Sequence, residues 1–172
     1  NDDAKLPAVD GSLLTNIGSG GSGSTGFMPR SYLSGYQMTR STTDTILIAA
    51  GACRDVSNQV DIDSATSITK KISDRWAQDD TGGGLDAGSI ATDTWYYVYL
   101  IRDTTNSITD VVFSLDSQSV ASMSPNFDYI RRVGAVRTDS TATNGILDFL
   151  QTGDEFWWDT PHEDESATAV SS

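Results

Sequence analysis

The chain has 172 residues, with 24 Asp or Glu against 11 Lys or Arg and a net charge of -13. That balance repels a phosphate backbone and an anionic lipid surface, so neither nucleic-acid binding nor membrane insertion is expected. Hydrophobic residues at 37%, including 4 Trp, 6 Tyr and 5 Phe, are too many for a disordered chain, and the length fits one domain with flanking segments.

Taken in chain order, residues 1–17 read as a short extended segment with a turn signal at Asp10-Gly11. Residues 18–26, "GSGGSGSTG", read as a flexible linker. Gly18, Gly20 and Gly23 also fit G-x-G-x-x-G, the spacing of a dinucleotide-binding loop. That loop must follow a strand and open a helix. "LLTNI" is too short a strand signal, "STGFMPRSYL" has no helical period, and no Lys completes a P-loop, so the linker reading prevails.

From residue 27 to 158, short runs rich in Ile, Val, Tyr, Phe and Thr alternate with Asp, Asn, Ser and Gly clusters, which is the rhythm of an antiparallel β-sandwich or jelly roll. Strands are expected near 31–38, 45–50, 52–56, 67–72, 94–102, 109–115, 129–137, 145–151 and 154–158. One helical turn is expected at "SDRWAQ", capped by Ser73. In the strand 94–102, Tyr97, Tyr99 and Ile101 share one face with Trp95, and Tyr96, Val98 and Leu100 share the other. Both faces are apolar, so the strand is expected to be covered on both sides, by its own sandwich or by a second subunit. Arg131 and Arg132 are expected on opposite faces, with no shared basic patch. The tail 159–172 is acidic and polar, and both ends read as cuts from a longer chain.

Few residues offer chemistry. Cys53 is the only cysteine, which excludes an internal disulfide and a Cys-based zinc site, and it is expected to be a buried, inert thiol. His162 is the only histidine and lies in the tail, where a general base has no positioned site. Asp61/Asp63 and Asp154/Glu155 are the pairs a glycosidase mechanism would have to draw on, but surface carboxylates are the base expectation and no catalytic residue is assigned. An EF-hand starting at Asp61 fails at Ala65, Thr66 and Ile72. The loop Asp79–Asp86 has the oxygen chemistry of an irregular Ca2+ loop, but no metal and no cofactor is assigned. Asp79, Asp80 and Asp86 in that loop are instead candidate binding contacts, together with Trp157 and Trp158. These two tryptophans are adjacent, so an extended strand turns them to opposite faces and leaves one for a partner. Trp95 is expected in the core.

Two sets of phrases carry a resemblance. "LPAVDGSLLTNI" resembles the repeated phrases of bacteriophage tail-fibre shafts. "GYQMTRSTTDTILIAAGACRD", "RWAQDDTGGGLDAGSI", "WYYVYLIRD", "TDVVFSLD" and "FDYIRRVGAVRTDSTATNGILDFLQTGDEF" resemble virion domains of phage tail fibres and related adhesins. The resemblance implies a β-sandwich or jelly-roll module in a phage tail or surface appendage, usually a homotrimer, which contacts other virion proteins and a host-surface glycan or protein. It maps no catalytic residue. The group's pattern runs on with further strand-like sequence, so the resemblance implies either that the missing strands come from elsewhere or that the chain is truncated.

Overall fold

The computed structural model describes residues 28–79, 81–120, 126–141, 145–153 and 155–159. Among them the chain forms strands and no helix. The strands are β1 (Leu33–Gly35), β2 (Met38–Arg40), β3 (Thr45–Ile48), β4 (Gly51–Arg54), β5 (Asp61–Ser64), β6 (Ile68–Arg75), β7 (Gly83–Leu85), β8 (Trp95–Asp103), β9 (Ile108–Ser114), β10 (Phe127–Arg137), β11 (Phe149–Thr152) and β12 (Glu155–Trp158). The expected all-β, sandwich-type fold is what forms. The glycine linker, His162 and the acidic tail lie outside the described residues.

A curled seven-stranded sheet runs in the order β10-β8-β9-β7-β6-β3-β2, a three-stranded sheet in the order β1-β4-β5, and β11 pairs with β12. The larger core cluster joins Ile46, Ile48, Ile72, Val98, Leu100 and Phe113 of the large sheet to Cys53 and Ile62 of the small one. Cys53 is buried as expected, and that burial pushes its thiol up to about 12. Alternate residues of β8 and β9, Tyr99, Ile101 and Val112, enter a second cluster with Phe127. The strand 94–102 is therefore covered on both sides by its own chain. Arg54 and Asp61, opposite each other on β4 and β5, form a buried ion pair at 2.7 Å.

The expected strand 31–38 divides at a corner. β1 belongs to the small sheet and β2 to the large one, and their partners β4 and β3 divide in the same way. The result is one bent hairpin that stitches the two sheets together. The bend needs Gly35 (φ 75°), followed by Tyr36 (φ 56°), whose buried ring donates its hydroxyl to Ile62 O at 3.2 Å. A Cβ on Gly35 would collide with the Ala50 carbonyl.

Two strands were not legible. β5 has the sequence DIDS, and β7 is the GGL of the "TGGGLD" stretch read as a loop. All three residues of β7 are buried, and it pairs in parallel with both β6 and β9, the exceptions in an otherwise antiparallel sheet. Glycine makes this insertion possible, because a Cβ on Gly83 would meet the Arg75 carbonyl. The expected helical turn at 73–78 does not form for the same reason. Ser73–Arg75 complete β6, and the amides of Trp76 and Ala77 donate to Leu85 O and Gly83 O. Backbone donors committed to a strand partner are not free to close a helical turn.

Gly35 and Gly88 both have positive φ, but only Gly35 has backbone against it. Gly35→Ala is expected to destabilise by about 2–4 kcal/mol, combining strain with overpacking, and Gly88→Ala by about 1 kcal/mol. Urea unfolding of both variants checks this. Equal costs would contradict the corner.

Candidate functional site

The hairpin β11–β12 places Phe149 opposite Trp158, Leu150 opposite Trp157 and Gln151 opposite Phe156. Strand alternation then sorts the side chains. Phe149, Phe156 and Trp158 form the inner face, with Phe149 stacked on Phe156 at 4.7 Å and Phe156 edge-on to Trp158 at 5.2 Å. Phe149 is part of the large core cluster and Trp158 packs against it. Leu150 and Trp157 form the outer face, 62% and 60% exposed. The adjacent tryptophans thus point to opposite faces as expected, Trp158 half-buried against the core and Trp157 exposed.

Trp95 corrects the sequence reading. It opens β8 at the rim of the sheet, is 43% exposed, and lies 5.7 Å from the Trp158 ring with the Arg137 guanidinium over it. The strand's first residue has left the covered part of the sheet, so core packing does not reach it. The hairpin is moored to β2, since Met38 N donates to Gln151 Oε1 at 2.8 Å and Arg40 pairs with Asp148 at 2.9 Å. A fixed hairpin holds its aromatic rings at little entropic cost on binding. Ring faces of this kind stack on the C–H faces of sugars or bury into a protein partner.

The acidic loop does not gather its three candidates. Asp79 Oδ1 accepts the Thr81 amide at 2.8 Å, Asp86 is buried just beyond β7, and Asp80 lies outside the described residues. Among the described residues no group of three or more His, Cys, Asp or Glu could hold a metal ion. Asp79 instead borders a cleft of about 340 Å³ shared with Asp110, Gln78, Thr66 and Thr109. Behind it, Lys70, fully buried, donates from Nζ to Asp110 Oδ2 at 2.9 Å and to Ala77 O at 2.7 Å. Burial pushes the Asp110 carboxyl up to about 6, against the pull of the Lys70 ammonium. Sequence reading missed this pair, although Lys70 between Ile68 and Ile72 on one strand face was a signal. Of the acids weighed as glycosidase pairs, Asp61 and Asp63 are engaged with arginines. Asp61 holds Arg54, Asp63 lies 3.4 Å from Arg102, Glu155 is exposed, and Asp154 lies outside the described residues.

A larger cavity of about 510 Å³ lies at the outer edge of β10, where Val56 N donates to Ile130 O at 2.9 Å. Tyr99, Ile130, Arg131 and Arg132 line it. Arg131 and Arg132 pair in regular register with Leu100 and Tyr99 and so lie on opposite faces as expected, but long side chains at a sheet edge reach one cavity from either face, which corrects the expectation of no shared patch. No protein-family model, curated protein or solved structure matches the chain.

The Lys70–Asp110 pair gives two expected outcomes. Lys70→Met leaves the Asp110 carboxylate buried without its counter-charge and should cost about 3–5 kcal/mol near neutral pH, while Lys70→Met/Asp110→Leu should recover most of the loss. Because the folded carboxyl titrates above its unfolded value, its contribution is full below about pH 4 and is lost as pH rises through about 6. Urea unfolding between pH 4 and 7 should show this decline, on the order of 2 kcal/mol, in the native protein relative to the double variant. Parallel pH profiles would contradict it.

Proposed function

We propose that the chain is a non-enzymatic β-sandwich module of a bacteriophage virion, a tail-fibre or receptor-binding domain that attaches the particle to a host-surface glycan or protein. The observation that carries the reading is the outer face of the terminal hairpin, where Leu150 and Trp157 stand side by side with Trp95 at the same end of the molecule. An ordered aromatic surface on an acidic, well-packed domain suits capture of a partner. The phrases that resemble those of tail fibres support the same reading. Several copies in one appendage, a homotrimer in the first instance, turn weak single sites into firm attachment through effective concentration. Since β8 is covered on both faces by its own chain, that strand offers no face to a second subunit.

A second reading is a structural connector or decoration protein that contacts other virion proteins. Leu150 favours it, because an exposed aliphatic side chain beside an aromatic one suits a protein contact better than a sugar ring.

The test uses labelled protein of known oligomeric mass, incubated with cells of a candidate host and with mutants lacking surface glycans. Saturable binding that is absent on the glycan mutants, reduced about tenfold or more by Trp157→Ala, and unaccompanied by sugar release is the expected result. No binding by an intact oligomer would favour the connector, and released sugar would overturn the non-enzymatic reading.

A further inference from the structure

The cavity at the edge of β10 is a second site, separate from the hairpin, and we propose that it binds a sugar unit carrying a carboxylate or phosphate group. Its charge pattern is the first argument. Acids outnumber bases 24 to 11 in the chain, and Arg40, Arg54, Arg102, Arg137 and Lys70 each lie within 4.0 Å of an aspartate. Arg131 and Arg132 have no such partner among the described residues. Their hydrogen bonds go to main-chain carbonyls, Arg131 to Ser31 O at 3.3 Å and Arg132 to Ser117 O at 3.0 Å. A guanidinium has five N–H donors, so each retains donors for an anion. The nearby carboxylates are spoken for. Asp116 accepts from Gln118 N and Ser119 Oγ, and Asp55 from Gln59 N, Val60 N and Ser57.

The second argument is pre-arrangement. The Arg132 guanidinium lies 5.5 Å over the Tyr97 ring, a cation–π contact that holds the charge at the cavity. The remaining walls are apolar or neutral. Val56, 66% exposed, with Ile130 offers a surface for the C–H face of a pyranose above the buried Tyr99, and Gln118 offers an amide for hydroxyl groups. The volume falls within the ~300–1,000 Å³ of small-molecule sites. Two cations in a chain of net charge -13 cannot hold a polyanion such as nucleic acid, whose binding requires many phosphate contacts, but they suffice for one anionic sugar.

The experiment is an NMR titration of the isotopically labelled protein with D-glucuronate, glucose 6-phosphate, glucose and inorganic phosphate, at fixed ionic strength. Both anionic sugars are expected to shift amides of β10 and residues 117–118, with affinities at least tenfold above those of glucose and of inorganic phosphate. Arg131→Gln and Arg132→Gln should each weaken glucuronate binding about tenfold, and Arg75→Gln, an exposed charge removed elsewhere, should not. Thermal unfolding of each variant confirms that the fold is kept. Equal binding of glucose and glucuronate, equal binding of bare phosphate, no shifts at β10, or the same loss with Arg75→Gln would each overturn the site. The titration uses no host cells, so its failure is distinct from failure of the attachment reading.

Discussion

β8 hydrogen-bonds to β9 on one edge and β10 on the other, while Tyr96, Val98 and Leu100 point into the large cluster and Tyr99 and Ile101 into the small one. Burying five large side chains of a single strand is worth on the order of 10 kcal/mol in apolar transfer alone, comparable with the net stability of a whole domain. A strand buried on both faces tolerates no slip of register, since each one-residue shift exchanges the contents of the two clusters. The small sheet and the bent hairpin that stitches it on cover one face. Phe127, Trp76 and Ile130 cover the other.

Both candidate surfaces follow from that arrangement, because they lie where the cover ends. Trp95 is the first residue of β8 and emerges from the sheet beside the terminal hairpin, which closes one end of the large cluster with Phe149 and Trp158. Leu150 and Trp157 face outward because their neighbours face in. At the lateral edge, β10 pairs with β8 on one side only, and Arg131 and Arg132, from opposite faces of that edge, both line a cavity floored by Tyr99 of the small cluster. The polar cleft beside Lys70 and Asp110 stands apart from both, and its buried pair is read most simply as part of the packing where β7 slips between β6 and β9.

Much of the fold was legible because it rests on local pattern. β8 showed apolar or aromatic residues at every position from Trp95 to Ile101, and the period of two separated Trp157 from Trp158. What escaped the sequence depends on neighbours distant in the chain. DIDS and GGL carry no strand signature, and β5 and β7 form because Cys53, Arg54, Arg75 and Phe113 supply partners for them. The stretch 31–38 reads as one strand because nothing local announces that β4 and β3 lie in different sheets. The shared Arg131–Arg132 cavity was hidden because alternation does not show that β10 is a sheet edge, and Asp79 and Asp86 were parted by a strand that reads as a loop. Trp95 was misplaced because side-chain chemistry says nothing about where a sheet ends.

The most direct measurement is oxidative footprinting of Trp157 and Leu150 by mass spectrometry, on the isolated protein and on the protein bound to host envelopes. The account predicts ready oxidation of both residues in the isolated oligomer and protection once envelopes are added, with buried Tyr96 unreactive throughout. Protection of Trp157 already in the isolated oligomer, or unchanged oxidation on saturated envelopes, would contradict the hairpin as the attachment surface.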